Sequence, residues 1–116
     1  MPTENSKTRR KYYRIPTDQV ISFAEVGANQ QLGTGRDLSR GGIRFDAVGC
    51  EISYGDVLQV TFNLLERTFV ATGRVVWATE VDPIATEVGL EFVEIDPAAL
   101  RVLEELEAEL EWVGAA

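Results

Sequence analysis

The chain has 116 residues, enough for one domain with a single hydrophobic core, and its 45% hydrophobic and 26% charged residues are typical of a globular protein. It contains no histidine, which excludes Ser-His-Asp and Cys-His nucleophile pairs and zinc sites built on paired histidines. The formal net charge is -8, yet residues 1–44 carry +4 and residues 45–116 carry -12. The basic end favours a small, compact anion as partner, whereas the acidic remainder would repel a nucleic acid.

The first predicted elements are a polar leader and a basic loop. Residues 1–8 show no periodicity and are predicted to be flexible. No apolar run approaches a membrane span or a secretory signal, and Cys50 is the only cysteine, so we expect no membrane insertion and a cytoplasmic location. Residues 9–15 form a predicted arginine loop that carries a cluster of basic side chains, namely Arg9, Arg10, Lys11 and Arg14.

Six strands are predicted after this loop, within about residues 16–95. Runs of β-favouring residues and alternating polarity place them at 20–26, 31–38, 43–48, 58–64, 68–79 and 88–92. Gly33 and Gly35 predict a bend or bulge in the second strand. In the fifth strand Trp77 is predicted to share a face with Val75, as a core or interface residue. Short strands with regular turns favour an all-β barrel or sandwich.

A C-terminal helix is predicted at residues 97–113. Asp96 is suited to the N-cap and Pro97 to the first helical position. One face carries an apolar stripe at helical spacing, formed by Leu100, Leu103, Leu106, Leu110 and Val113. The other face is acidic and is predicted to be solvated; it contains Glu104, Glu105, Glu107, Glu109 and Glu111.

Two motifs carry candidate binding chemistry. The first is "RRKYYR", in which three residues separate Arg10 from Arg14, and the second is "DLSRGG" at residues 37–42. Arginine offers a planar fork of donors that matches phosphate oxygens and the acceptor edge of guanine. The Asp37 carboxylate could accept hydrogen bonds from guanine N1–H and N2–H, and the Ser39 hydroxyl could donate or accept. Together these residues predict a site for a guanine nucleotide.

The two motifs, in this order before a predicted barrel, resemble the signature of the PilZ domain, a bacterial receptor for cyclic di-GMP. That signature is Arg-x-x-x-Arg followed by Asp/Asn-x-Ser-x-x-Gly. The similarity continues through "GDVLQVTFNL" at 55–64, "GRVVW" at 73–77 and "VGLEF" at 88–92. The resemblance implies a six-stranded antiparallel β-barrel with a C-terminal α-helix, in a PilZ-like domain over residues 9–116. We expect a binding protein without catalytic residues, metal or cofactor.

The resemblance also implies a role for each motif position. Arg10 and Arg14 would contact the phosphates and guanine faces of cyclic di-GMP. Asp37 and Ser39 would read a guanine edge, and Gly42 would permit the backbone geometry there through unusual backbone angles.

Two further arginines extend this site. An arginine directly before the first motif, here Arg9, goes in the family with binding an intercalated pair of cyclic di-GMP molecules rather than one. Arg40 stands at a variable position of the second motif, where it would add a phosphate contact or face solvent.

The predicted function is a cyclic di-GMP receptor, a monomer or weak homodimer, that relays the signal to an unidentified downstream protein in processes such as motility and biofilm formation. Ligand binding is expected to draw the leader onto the barrel. Two alternatives remain open at this point. One is a PilZ-like adaptor of motility or pilus machinery that does not bind the nucleotide. The other is an oligonucleotide-binding barrel that stacks bases on Tyr12 and Tyr13, which the acidic composition disfavours.

Overall fold

The computed structural model describes residues 13–115, with the side chains of residues 13–110. The predicted leader, Arg9 and Arg10 therefore lie outside the described residues. In chain order the elements are β1 (Ile15–Pro16), β2 (Val20–Glu25), β3 (Gln31–Leu38), β4 (Gly42–Val48), β5 (Val57–Leu64), β6 (Arg67–Asp82), β7 (Ala85–Ile95) and α1 (Pro97–Ala115). Within this part of the chain no helix has the length and apolar character needed to cross a membrane.

Strands β2 to β7 close into an antiparallel barrel. Their order is β3-β2-β5-β6-β7-β4, and β4 pairs back with β3 to complete the cylinder. The predicted six-stranded antiparallel barrel with a C-terminal helix is confirmed. Closure leaves no long unpaired edge in the barrel, which explains how strands of moderate length hold together in a small domain.

One further strand, β1, was not predicted. It pairs Ile15 with Leu38 and Pro16 with Asp37, along the edge of β3 that β2 leaves free beyond Thr34. Two residues are too few to produce a recognisable alternation in the sequence. The consequence is functional, because β1 holds the end of the predicted arginine loop beside Asp37.

Two bulges set which side chains face outward. The register of β3 against β4 shifts between Gly35 and Asp37, where a bend or bulge was predicted. A second shift lies between Val75 and Trp77 in β6, so Val76 is an extra residue that reverses the alternation. Val75 is fully buried, whereas Trp77 is 37% exposed on the outer surface. The prediction that Trp77 shares a face with Val75 is therefore wrong, and of the two predicted settings, core or interface, the core is excluded.

The hydrophobic core fills the barrel and continues into α1. The Asp96 carboxylate accepts a hydrogen bond from the Ala98 N–H at 2.8 Å, as expected of an N-cap. Val102 and Leu103 of the helix belong to the same buried cluster as the barrel interior. The largest fully buried side chains of that cluster are Phe45, Phe62, Ile21, Leu38, Ile43, Leu103, Val60, Val75 and Val88. The helix is thus part of the folded core.

Replacing Leu103 by Ala should lower the free energy of unfolding by about 2–5 kcal/mol, because the side chain is fully buried and its loss leaves a cavity. Leu110→Ala on the same helix is the matched control, since Leu110 is 37% exposed and should cost much less. Urea unfolding of both variants measures the difference. Equal losses would mean that α1 does not dock through Leu103.

Candidate functional site

The second motif forms the tight hairpin between β3 and β4. Ser39, Arg40 and Gly41 lie between the two strands. The Ser39 N–H donates to the Gly42 carbonyl oxygen at 2.9 Å, which leaves Arg40 and Gly41 as the two residues at the tip. The Ser39 hydroxyl oxygen accepts a hydrogen bond from the Gly41 N–H at 3.1 Å. Ser39 is buried, so in this structure its hydroxyl stabilises the turn that follows Asp37.

Gly42 was expected to permit unusual backbone angles, but in the structure it allows close packing against β7. Gly42 is not among the described residues with a positive φ angle, which are Gly27, Gly49, Gly55, Leu65 and Glu66. A Cβ atom on Gly42 would instead overlap the Leu90 carbonyl oxygen of β7. Beside it, the Gly41 carbonyl oxygen accepts a hydrogen bond from the Phe92 N–H at 2.8 Å. The absence of a side chain at Gly42 therefore lets the hairpin lie against β7.

Asp37 is the centre of a chain of charges on the outer surface of the barrel. Arg14 donates from Nη1 to Asp37 Oδ1 at 2.8 Å, and Arg44 lies with Nη2 at 2.8 Å from Asp37 Oδ2. Arg44 Nη1 also lies 3.8 Å from Glu87 Oε2 on β7. Asp37 is only 5% exposed. A carboxylate buried to this extent is tolerated because each of its oxygens faces a guanidinium group.

These charges border an open cleft of about 410 Å³. Small-molecule sites span roughly 300–1,000 Å³, so the cleft has the size of a ligand site. The residues that line it are Arg14, Pro16, Arg36, Asp37, Arg44 and Trp77. Three guanidinium groups line the cleft, and their planar forks of donors match phosphate oxygens, although Asp46 and Glu87 balance part of their charge.

Trp77 and Arg36 complete the cleft from opposite sides of Arg44. The indole of Trp77 lies directly over Gly89, where a Cβ atom would overlap the ring. Trp77 therefore rests on the backbone of β7 and keeps an exposed aromatic surface suited to stacking. Arg36, at the β3 bulge, donates to Asp46 Oδ2 at 3.1 Å and is half-exposed.

Arg40 connects the hairpin to the C-terminal helix. It donates from Nη2 to Glu107 Oε1 at 2.7 Å and from Nε to Glu107 Oε2 at 3.4 Å. Its Nη1 donates to Glu104 Oε2 at 3.2 Å. Glu107 is 6% exposed, so the acidic face predicted to be solvated is buried at this point. The two-pronged contact fixes α1 to the loop of the second motif.

The structure brings the two predicted motifs together through Arg14 and Asp37. Ser39 and Gly42 shape the hairpin behind Asp37, and Arg40 reaches α1 instead of the cleft.

Sequence reasoning missed three cleft residues, Arg36, Arg44 and Trp77. Arg44 could have been found. A two-residue loop that pairs Ser39 with Gly42 also sets Asp37 opposite Arg44, as observed.

Comparison with known proteins identifies the fold and the motifs. A family model described as the PilZ domain matches residues 8–109. The chain belongs to the PilZ domain family. The resemblance predicted from the two motifs is thereby confirmed. PilZ domains are regulatory binding domains rather than enzymes, and the family includes receptors for cyclic di-GMP. No curated protein matches the chain.

Several solved structures share this PilZ fold at low sequence identity. Bacillus subtilis inhibitor of motility MotI/DgrA has a TM-score of 0.77 and 18% identity, over 90% of this chain and 52% of that protein. The PilZ domain of Escherichia coli YcgR with c-di-GMP has a TM-score of 0.69 and 17% identity, over 91% of this chain and 94% of that domain. Borreliella burgdorferi PlzA in complex with c-di-GMP has a TM-score of 0.64 and 17% identity, over 91% of this chain and 44% of that protein.

The contact between Arg40 and α1 should contribute to stability. Glu107→Gln removes the charge and places an amide N–H against the Arg40 donors, so we expect a loss of about 1–3 kcal/mol in the free energy of unfolding. Glu105→Gln, at an exposed position of the same helix, should change it by less than about 0.5 kcal/mol. Thermal or urea unfolding compares the two variants, and similar values for both would contradict the assigned role of Glu107.

Proposed function

We propose that this chain is a bacterial cyclic di-GMP receptor that binds the dinucleotide in the cleft beside Asp37 and relays the signal to a partner protein. The observation that carries the proposal is the contact between the two motifs, in which Arg14 and Asp37 meet at 2.8 Å. The c-di-GMP complexes of YcgR and PlzA, which share the fold, support the choice of ligand. The proposed setting is the cytoplasm, in control of motility or biofilm formation.

The cleft offers a partner for each part of this ligand. Guanidinium groups bind phosphate oxygens through charge-assisted hydrogen bonds, a role we assign to Arg14 and Arg36 in the cleft and to Arg10 from the adjoining segment. The Asp37 carboxylate accepts from the N1–H and N2–H of one guanine. The exposed indole of Trp77 provides a flat surface on which a guanine ring stacks.

Binding in this arrangement requires an exchange of partners. Arg14 occupies Asp37 Oδ1, the oxygen that a guanine edge would approach. A phosphate of the ligand offers Arg14 an alternative anion while the guanine N–H groups replace Arg14 at Asp37. No charge is left buried without a partner, so the exchange avoids the large penalty of an isolated carboxylate. We propose that this exchange draws the segment before β1 onto the ligand and produces the surface that a partner protein recognises.

The other motif residues have supporting parts in this proposal. Ser39 and Gly42 hold the hairpin that presents Asp37. A phosphate contact by Arg40 would require it to leave Glu107, to which it is bound at 2.7 Å. We therefore assign Arg40 chiefly to the link between the site and α1.

Isothermal titration calorimetry tests the binding claim. Wild-type protein should bind cyclic di-GMP, while GTP competes poorly because a mononucleotide cannot span both motifs. Arg14→Ala should weaken binding by more than tenfold, or about 1.4 kcal/mol, since it removes charge-assisted bonds to phosphate. Arg101→Ala, which removes the same charge from an exposed position on α1, should have little effect. Equal affinity for GTP, or wild-type binding by Arg14→Ala, would contradict the proposal.

The number of ligands tests the part assigned to Arg9. If Arg9 helps to hold an intercalated pair, titration of the wild-type protein should give two molecules of cyclic di-GMP per chain. Arg9→Leu should shift this ratio toward one. A ratio of one for the wild type would refute the paired mode while leaving single-ligand binding intact.

An adaptor that does not bind the nucleotide is the second candidate. The observation in its favour is that both oxygens of Asp37 already face arginine side chains, as in a purely structural ion-pair network. The solved structure of MotI/DgrA, described as an inhibitor of motility, shares the fold. Under this alternative the calorimetric titration shows no heat of binding for cyclic di-GMP, and Arg14→Ala affects only stability.

A further inference from the structure

Arg44 and Arg14 hold the same carboxylate from parts of the chain that differ in how firmly they are attached. Arg44 lies within β4, which is hydrogen-bonded to β3 on one side and to β7 on the other. Arg14 precedes β1, a strand of two residues paired only with β3. Of the two arginines on Asp37, Arg44 is therefore the one that the barrel keeps in place when Arg14 is exchanged for another partner.

The surroundings of Arg44 restrict its orientation. It lies opposite Asp37 on one side and opposite Gly89 on the other, so a residue without a side chain adjoins it on β7. Trp77 covers Gly89, and Glu87 lies 3.8 Å from Arg44 Nη1. With Asp37 Oδ2 at 2.8 Å, the guanidinium is held between two carboxylates beside an aromatic ring.

The Nε of Arg44 is buried and has no hydrogen-bond acceptor among the described residues. An unsatisfied buried donor costs free energy, and such groups in folded proteins call for an explanation other than stability. The position of the side chain thus allows the ion pair with Asp37 Oδ2 but leaves one of its own donors without an acceptor among the described residues.

We propose that Arg44 is a positioning residue that determines the guanine specificity of the site. This inference rests on the proposed function. By pairing with Oδ2 from a barrel strand, Arg44 holds the Asp37 carboxylate in place and keeps a positive charge beside it after Arg14 leaves. A fixed carboxylate accepts from the two parallel donors of guanine, N1–H and N2–H. Adenine presents an acceptor at N1, which a carboxylate in that position repels, so the position held by Arg44 separates the two bases.

The test compares cyclic di-GMP with cyclic di-AMP in calorimetric titrations of Arg44→Met, Arg44→Lys and the wild type. Arg44→Met should lower the preference for cyclic di-GMP at least tenfold, mainly through loss of affinity for the guanine ligand. Arg44→Lys should recover part of the preference, because an ammonium group can pair with Oδ2 but lacks the planar fork of the guanidinium group. Arg36→Met is the matched control. It removes a charge from the same cleft but from a residue paired with Asp46, so it should weaken both ligands alike and leave the ratio unchanged.

The outcomes separate this inference from the proposed function. If the wild type binds cyclic di-GMP and both Arg44 variants keep its base preference, Arg44 does not set specificity, although the receptor function stands. If the wild type binds neither ligand, both proposals fall. If Arg44→Met does not fold, Arg44→Lys decides. A preference for cyclic di-GMP over cyclic di-AMP equal to that of the wild type overturns the inference, and a reduced preference supports it.

Discussion

Asp37 is a buried carboxylate with an arginine on each of its oxygens, and the site is organised around the need to keep it paired. A carboxylate removed from water without a counter-charge would be severely destabilising. Arg44 of the barrel lies opposite Asp37 in the β3–β4 pair and provides the counter-charge for Oδ2. Arg14, which precedes β1, provides the counter-charge for Oδ1. Arg14 precedes a strand of only two residues, whereas Arg44 lies within the barrel. Of the two arginines that pair with Asp37, Arg14 is therefore the one that we propose a ligand replaces.

The same hairpin links this carboxylate to the C-terminal helix. Three residues after Asp37, Arg40 leaves the tip of the hairpin and binds Glu107 and Glu104 of α1. The Gly41 carbonyl ties the tip to β7, and Leu103 anchors the helix in the core. The barrel, α1 and the segment of Arg14 and β1 therefore meet around the six residues of the second motif. In a receptor, such an arrangement places the binding event next to the surfaces that a partner protein would read.

The sequence predicted the strands and the helix because their patterns are local. Alternating polarity located the barrel strands, Asp96 and Pro97 marked the start of α1, and the choice of a barrel over a sandwich came from the family resemblance. The resemblance also selected Arg14 and Asp37, which lie 23 residues apart and meet in the structure.

What escaped prediction depends on register and on distant contacts. One extra residue in β6 places Trp77 on the side opposite Val75, facing the cleft, and alternation alone does not reveal such a bulge. The pairing of Arg40 with Glu107 joins positions 67 residues apart, so the helix sequence alone did not identify the cation that its acidic face contacts. Arg44 could have been predicted from the sequence, because a two-residue loop between Ser39 and Gly42 places it opposite Asp37.

We propose that Asp37 exchanges Arg14 for a guanine while Arg44 stays in place. A crystal structure of the protein with cyclic di-GMP tests this exchange directly. We expect a guanine edge on Asp37, Arg14 moved from Asp37 Oδ1 to the ligand, and Arg44 still within hydrogen-bond distance of Oδ2. A complex in which the Arg14–Asp37 ion pair is intact and the dinucleotide lies elsewhere would contradict it.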